Sequence, residues 1–140
     1  MALEENKALV RRFIEIGWGR CDEQVFDECL DPACHRHLAG AVSSGQTDAK
    51  VAMKLVRVGI PDLEVTIEQL IGEGDMVAVR SMSRGTHLGD YVGVAPTGKR
   101  VEIAAVDFYR IAGRKIVESW HNVDEAGLLR QLGAIPASKR

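Results

Sequence analysis

The sequence predicts a single α+β domain in which helices pack on one side of a curved antiparallel sheet. Three observations carry this. Apolar residues recur at mostly helical spacing as far as Val58, and from Leu63 onward they alternate with polar ones. Helical patterns grouped ahead of strand patterns argue for α+β rather than an alternating parallel sheet. The 140 residues, 46% hydrophobic and 27% charged, suffice for one packed core.

The first helix is predicted over residues 4–19, where Leu9, Val10, Phe13, Ile14 and Ile16 form one face and Gly17 and Gly19 close it. A second, short helix follows in "CDEQVFDECL", with Asp22 as N-cap and Val25, Phe26, Cys29 and Leu30 on its apolar side. Pro32 stops it. "ACHRHLAG" reads as a brief extended segment running into a Ser- and Gly-rich loop. The third helix is expected from Thr47, as N-cap, to Val58, ended by Gly59 and Pro61. Four antiparallel strands then form a meander: "DLEVTIEQLIGEGD", "MVAVRSMSRGTH", "RVEIAAVDFYRI" and "KIVESWHNVD". "EGD" and "AGRK" are the tight turns, "LGDYVGVAPTGK" is a long connection, and "EAGLLRQLG" is a final short helix.

Net charge is −2 and the basic residues are scattered, so no nucleic-acid-binding stripe exists. No apolar run approaches bilayer length, and the charged, periodic N-terminus does not read as a signal peptide. Cys21, Cys29 and Cys34 read as reduced thiols of a cytoplasmic protein. Cys29, Cys34, His35 and His37 fit no standard zinc spacing, so no metal is expected. Arg80 and Arg84 are expected to be solvated or paired, and His87 to serve a turn.

Candidate site residues come from the last two strands. If "AGRK" pairs Ile111 with Ile116, strict alternation sets Asp107 opposite Trp120 and Ile103 opposite Asp124. Asp107, Trp120, Asn122 and Asp124 then share a face with Ile103, Ala105, Tyr109 and Ile111. Apolar walls holding a few polar groups suit a small-molecule pocket. Alternatively, twist or a bulge turns the carboxylates outward and Asp124 merely caps the last helix. The pattern leaves both open.

The segments "IPDLEVTIEQLIGEGDMVAVR", "RGTHLGDYVGVAPTGKRVEI", "VDFYRIAGRKIVESW" and "VDEAGLLRQLG", with the opening "NKALVRRFIEIGWGR", resemble the SnoaL-like polyketide (ester) cyclase family. That resemblance spans almost the whole chain. It implies the cone-shaped α+β barrel of the NTF2-like superfamily, with a deep pocket closed by the N-terminal helices. It further implies a cofactor-independent, intramolecular aldol closure of an aromatic polyketide ester. Asp124 is implied as the acid/base, with His37 and Asp107 as pocket residues beside Trp120, Tyr109 and Asn122. A homodimer through the outer sheet face is implied too, which would make His121 an interface residue. An isomerase or hydrolase on the same fold, or a non-catalytic binding domain, are the rival readings.

Overall fold

The computed structural model describes residues 2–38 and 41–137. Helix α1 (Ala2–Arg12) carries Glu4 and Glu5 in its first turn, which complements the helix dipole. It widens into a π-helical stretch over Phe13–Trp18. The wider turn brings Ile14 and Trp18 to the same side, where both face the interior cavity. Gly17 allows the close approach of Phe26, whose ring a Cβ would meet at 3.1 Å. The end of this helix is held from outside. The Arg57 guanidinium donates to the carbonyls of Trp18 at 2.8 Å and Gly19 at 2.6 Å, satisfying acceptors that a helix end leaves open, and ties them to the Leu63 carbonyl at 3.0 Å.

Helix α2 (Glu23–Cys29) is capped by Asp22, which accepts from the Gln24 N–H at 3.0 Å. The chain then enters a nine-residue strand β1 (Leu30–Leu38). Pro32 falls where the β1 ladder is interrupted, between its Leu30 and His35 pairings, so its missing N–H is not needed. Residues 39 and 40, the end of the extended segment expected in "ACHRHLAG", lie outside the described residues. A short strand β2 (Ala41–Ser44) pairs back on β1, and helix α3 (Gly45–Gly59) follows. Its N-cap is Ser44 rather than Thr47, and the Ser44 N–H is taken up by the Asp48 carboxylate at 3.2 Å.

Strands β3 (Glu64–Glu73), β4 (Met76–Thr86), β5 (Arg100–Ala112) and β6 (Lys115–Val123) form the expected meander, and α4 (Glu125–Gln131) ends it. The sheet is larger than expected. Six strands run in the order β2-β1-β6-β5-β4-β3, with β1 parallel to β6. The two extra strands are hard to read because β1 turns Cys34 and Arg36 inward and His35 and His37 outward. That pattern has no apolar alternation.

Both tight hairpins form. Ala112 pairs with Lys115 across Gly113 and Arg114, whose φ values of 55° and 63° suit a type I′ turn. The larger core lies between the helices and the sheet, around Phe13, Phe26, Met53 and Tyr109. A smaller one, with Ile60, Val101 and Leu128, seals the far end. Arg80 pairs with Glu68 and Arg84 with Glu102, each at 3.1 Å on the outer surface. No helix among the described residues is long and apolar enough to cross a membrane.

Candidate active site

The concave side of the sheet and the helices enclose a cavity of about 330 Å³. Ile14 and Trp18 form one wall, Ala52, Leu55 and Val56 of α3 another, and Leu63, Val65 and Ile103 the floor of the strands. Leu38, Leu55 and Val123 are exposed as well as cavity-lining, so they form its mouth. Into this apolar space project Arg36, Ser81, Ser83, Tyr91, Asp107, Tyr109 and His121. Few polar groups converging in an apolar hollow is the usual composition of a ligand site.

The polar centre is a chain of three side chains. His121 Nδ1 lies 3.0 Å from Asp107 Oδ1, and its Nε2 lies 2.7 Å from Ser119 Oγ. An ionised Asp107 can only accept, so Nδ1 carries the proton and Nε2 receives the serine hydroxyl. The order Ser–His–Asp matches a nucleophilic triad, but Ser119 is 2% exposed and does not line the cavity. Ser119 therefore orients the imidazole and is no nucleophile. Asp107 is itself 6% exposed. Its second oxygen has no protein partner among the described residues, and the residue lines the cavity.

Tyr109 stands two residues along the same strand face, edge-on to His121 with ring centres 5.8 Å apart. Burial, and secondarily the Asp107 charge, hold its phenol well above the ordinary tyrosine range. It stays protonated and serves as a hydrogen-bond donor. Burial also pushes the Tyr91 phenol up.

The sequence-predicted site residues divide between the two sheet faces. Asp107 and Tyr109 line the cavity as expected. Trp120, Asn122 and His37 do not. Ile111 does pair with Ile116, but the next pair is Arg110 with Glu118, so Val117 is an extra residue in β6. This bulge shifts the register by one, which sends every later side chain of β6 to the other face. Asp107 consequently faces His121, and Trp120 pairs with Phe108 on the outer surface. There His37 stacks on Trp120 at 5.1 Å and meets Glu118 at 2.7 Å. Asn122, paired with outward-facing Val106, is exposed.

Asp124 is the N-cap of α4: its Oδ1 accepts from the Gly127 N–H at 2.8 Å, and the residue is exposed outside the cavity. The capping alternative describes its geometry, and Asp124 is not among the residues that line the cavity. Asp124→Ala should therefore cost about 1 kcal/mol of stability, the usual value of a lost N-cap. Urea unfolding would read this directly, and a ligand-affinity change larger than threefold to fivefold would contradict the assignment.

Periodicity missed His121 and Arg36. The first is displaced by the bulge, and the second lies on a strand whose pattern is not apolar. Its inward neighbour Cys34, like Cys29, is buried, and desolvation pushes both thiols up to about 11. His35 is exposed and His37 faces outward, so these four residues do not converge. His87 is fully buried, and its Nδ1 accepts from the Thr97 N–H at 3.2 Å, bracing the long β4–β5 connection.

Comparison with known proteins agrees with this architecture. The family profile described as SnoaL-like polyketide cyclase matches residues 8–132. AclR, a candidate hydroxylase of Streptomyces galilaeus, is 29% identical over 99% of this chain and 87% of its own, with a TM-score of 0.88. A candidate SnoaL-like polyketide cyclase of Jannaschia sp. CCS1 is 26% identical over 95% of this chain and 94% of its own, with a TM-score of 0.87. IdmH of Streptomyces antibioticus, at 24% identity over 91% of this chain and 98% of its own and a TM-score of 0.81, shares the fold. No curated protein matches the sequence. With the match covering nearly its whole length and an open, curved sheet of the NTF2-like kind around an apolar cavity, the chain belongs to the SnoaL-like polyketide cyclase family.

Proposed function

We propose that the protein closes a ring in an aromatic polyketide ester by an intramolecular aldol reaction, with Asp107 as the acid/base. The single observation that carries this is a buried, cavity-lining carboxylate with one oxygen held by His121 and the other unpartnered among the described residues. The open Asp107 oxygen takes the proton from an acidic carbon next to a carbonyl. The carbanion attacks a second carbonyl carbon of the same molecule, a carbon–carbon bond forms, and the electron pair moves to oxygen. The same carboxylic acid then returns its proton to the alkoxide. No oxidant or second substrate is consumed.

A carboxylate in water is a weak base for carbon acids. Two features narrow the gap. Conjugation in the substrate spreads the enolate charge, and the protonated Tyr109 hydroxyl donates to the oxygen on which charge grows. His121 holds Asp107 in one orientation, and the cavity walls fold the substrate so that the reacting carbons meet. Under this reading the aspartate chemistry belongs to Asp107 instead of Asp124. Incubation with an aromatic polyketide ester should yield the ring-closed isomer of unchanged mass, detected by chromatography and NMR. Failure across a panel of such esters would defeat the reading.

The protein also forms a homodimer through its outer sheet face under this proposal. Val106 and Phe108 are 43% and 45% exposed there, beside the His37–Trp120 stack, and a second copy would cover them. Light scattering after gel filtration should give twice the chain mass, and Phe108→Glu should halve it. A wild-type protein that stays monomeric would refute the dimer without touching the chemistry.

A further inference from the structure

Arg36 is 5% exposed, faces the cavity and has no salt-bridge partner among the described residues. Its one protein hydrogen bond there runs from Nη1 to Ser43 Oγ at 3.2 Å. Nε and Nη2 are unpartnered among the described residues, and the side chain lines the cavity. The carboxylates that influence it electrostatically are Asp107 and Asp48, and neither touches it. Desolvation holds the guanidinium below the usual arginine range. A buried cation of this kind carries an uncompensated desolvation penalty that an anionic partner would relieve.

We infer that the cavity's ligand bears a carboxylate, received in two-pronged fashion by Nε and Nη2 of Arg36 while its apolar body fills the space towards Trp18 and Ile103. This rests on the cavity being the substrate site and adds a substrate class: an apolar acid rather than a neutral ester alone. Nε and Nη2 form the planar edge of the guanidinium that matches two carboxylate oxygens, which lysine cannot reproduce. The reacting ester and the acid then sit on one molecule, with Arg36 fixing which end enters first. Asp107 keeps its open oxygen for the reaction and repels a carboxylate, so the acid has a single favourable place to sit.

The test is calorimetric titration of the intact protein with 2-naphthoate and with its uncharged twin 2-naphthamide. The acid should bind about tenfold or more tightly than the amide, as expected for a hydrogen bond to a charged group in a buried site. Arg36→Met should abolish this preference while keeping amide affinity, and Arg36→Lys should retain part of it. Arg36→Met should also unfold at the same temperature as wild type or higher, because removing an unpaired buried charge relieves its desolvation. Equal affinities for the two probes in the wild type would overturn the inference, whatever the variants do. So would a preference unchanged in Arg36→Met. Equal affinities in the wild type with Asp107-dependent ring closure intact would sink this inference alone, whereas a wild-type preference for the acid without any ring closure would sink the cyclase reading alone.

Discussion

Turnover should fall by roughly 10²–10⁴-fold in Asp107→Asn, the range typical of removing a positioned general acid/base. The asparagine is nearly isosteric and can still meet His121 Nδ1–H through its amide oxygen, so the loss reports proton transfer rather than collapse of the site. Ligand affinity, measured with an uncharged aromatic probe, should change little. Asp124→Asn, in contrast, should leave turnover near wild type, because the cap lies outside the cavity and an asparagine side chain can cap as well. The pair of variants separates the two aspartates cleanly. Wild-type rates in Asp107→Asn, or near-total loss in Asp124→Asn, would reverse the assignment.

Phe26→Ala should destabilise the fold by about 3–5 kcal/mol, a large share of the net stability of a domain this size. Phe26 is fully buried and is the hinge of an aromatic cluster, with ring centres 4.8 Å from Phe13 and 5.6 Å from Trp18. Phe13 in turn meets Tyr109 edge-on at 6.0 Å. The cavity left by truncation would lie directly beneath the π-helical stretch, which supplies Ile14 and Trp18 to the wall of the apolar cavity. Aromatic-probe affinity should therefore drop with stability, at temperatures where the variant is still folded. Chemical denaturation gives the first quantity and titration the second. A loss below about 1 kcal/mol would mean that the cluster repacks, an outcome outside the usual range for deleting a buried aromatic side chain.

Reading the sequence located much of the architecture because many of its signals are local. The Asp22 cap depends on residues a few positions apart, and so does the Gly113–Arg114 turn. The alternation of β3 to β6 is a property of each strand alone. Strand β1 was legible only as the brief extended segment "ACHRHLAG"; its inward face and its place in the sheet were not, since its inward residues are a thiol and a guanidinium and its partner β6 lies more than eighty residues away. Among the candidate site residues, Asp107 and Tyr109 reach the cavity because they lie on β5, a strand without an internal bulge facing β4. Trp120, Asn122 and His121 exchange faces because they follow Val117.

The sequence alone thus determined the α+β class, most of the element boundaries and the apolar character of a pocket strand, all consequences of chemistry within a few residues. The tertiary structure decided which side chains of β6 and β1 look inward. The physical reason is the two-residue period of a strand: one unpaired residue inverts the faces beyond it, and only the pairing of distant strands shows where that residue falls. That inversion exchanged Trp120 for His121 beside Asp107, while the fold of β1 brought in Arg36 and the start of α4 claimed Asp124 as its cap.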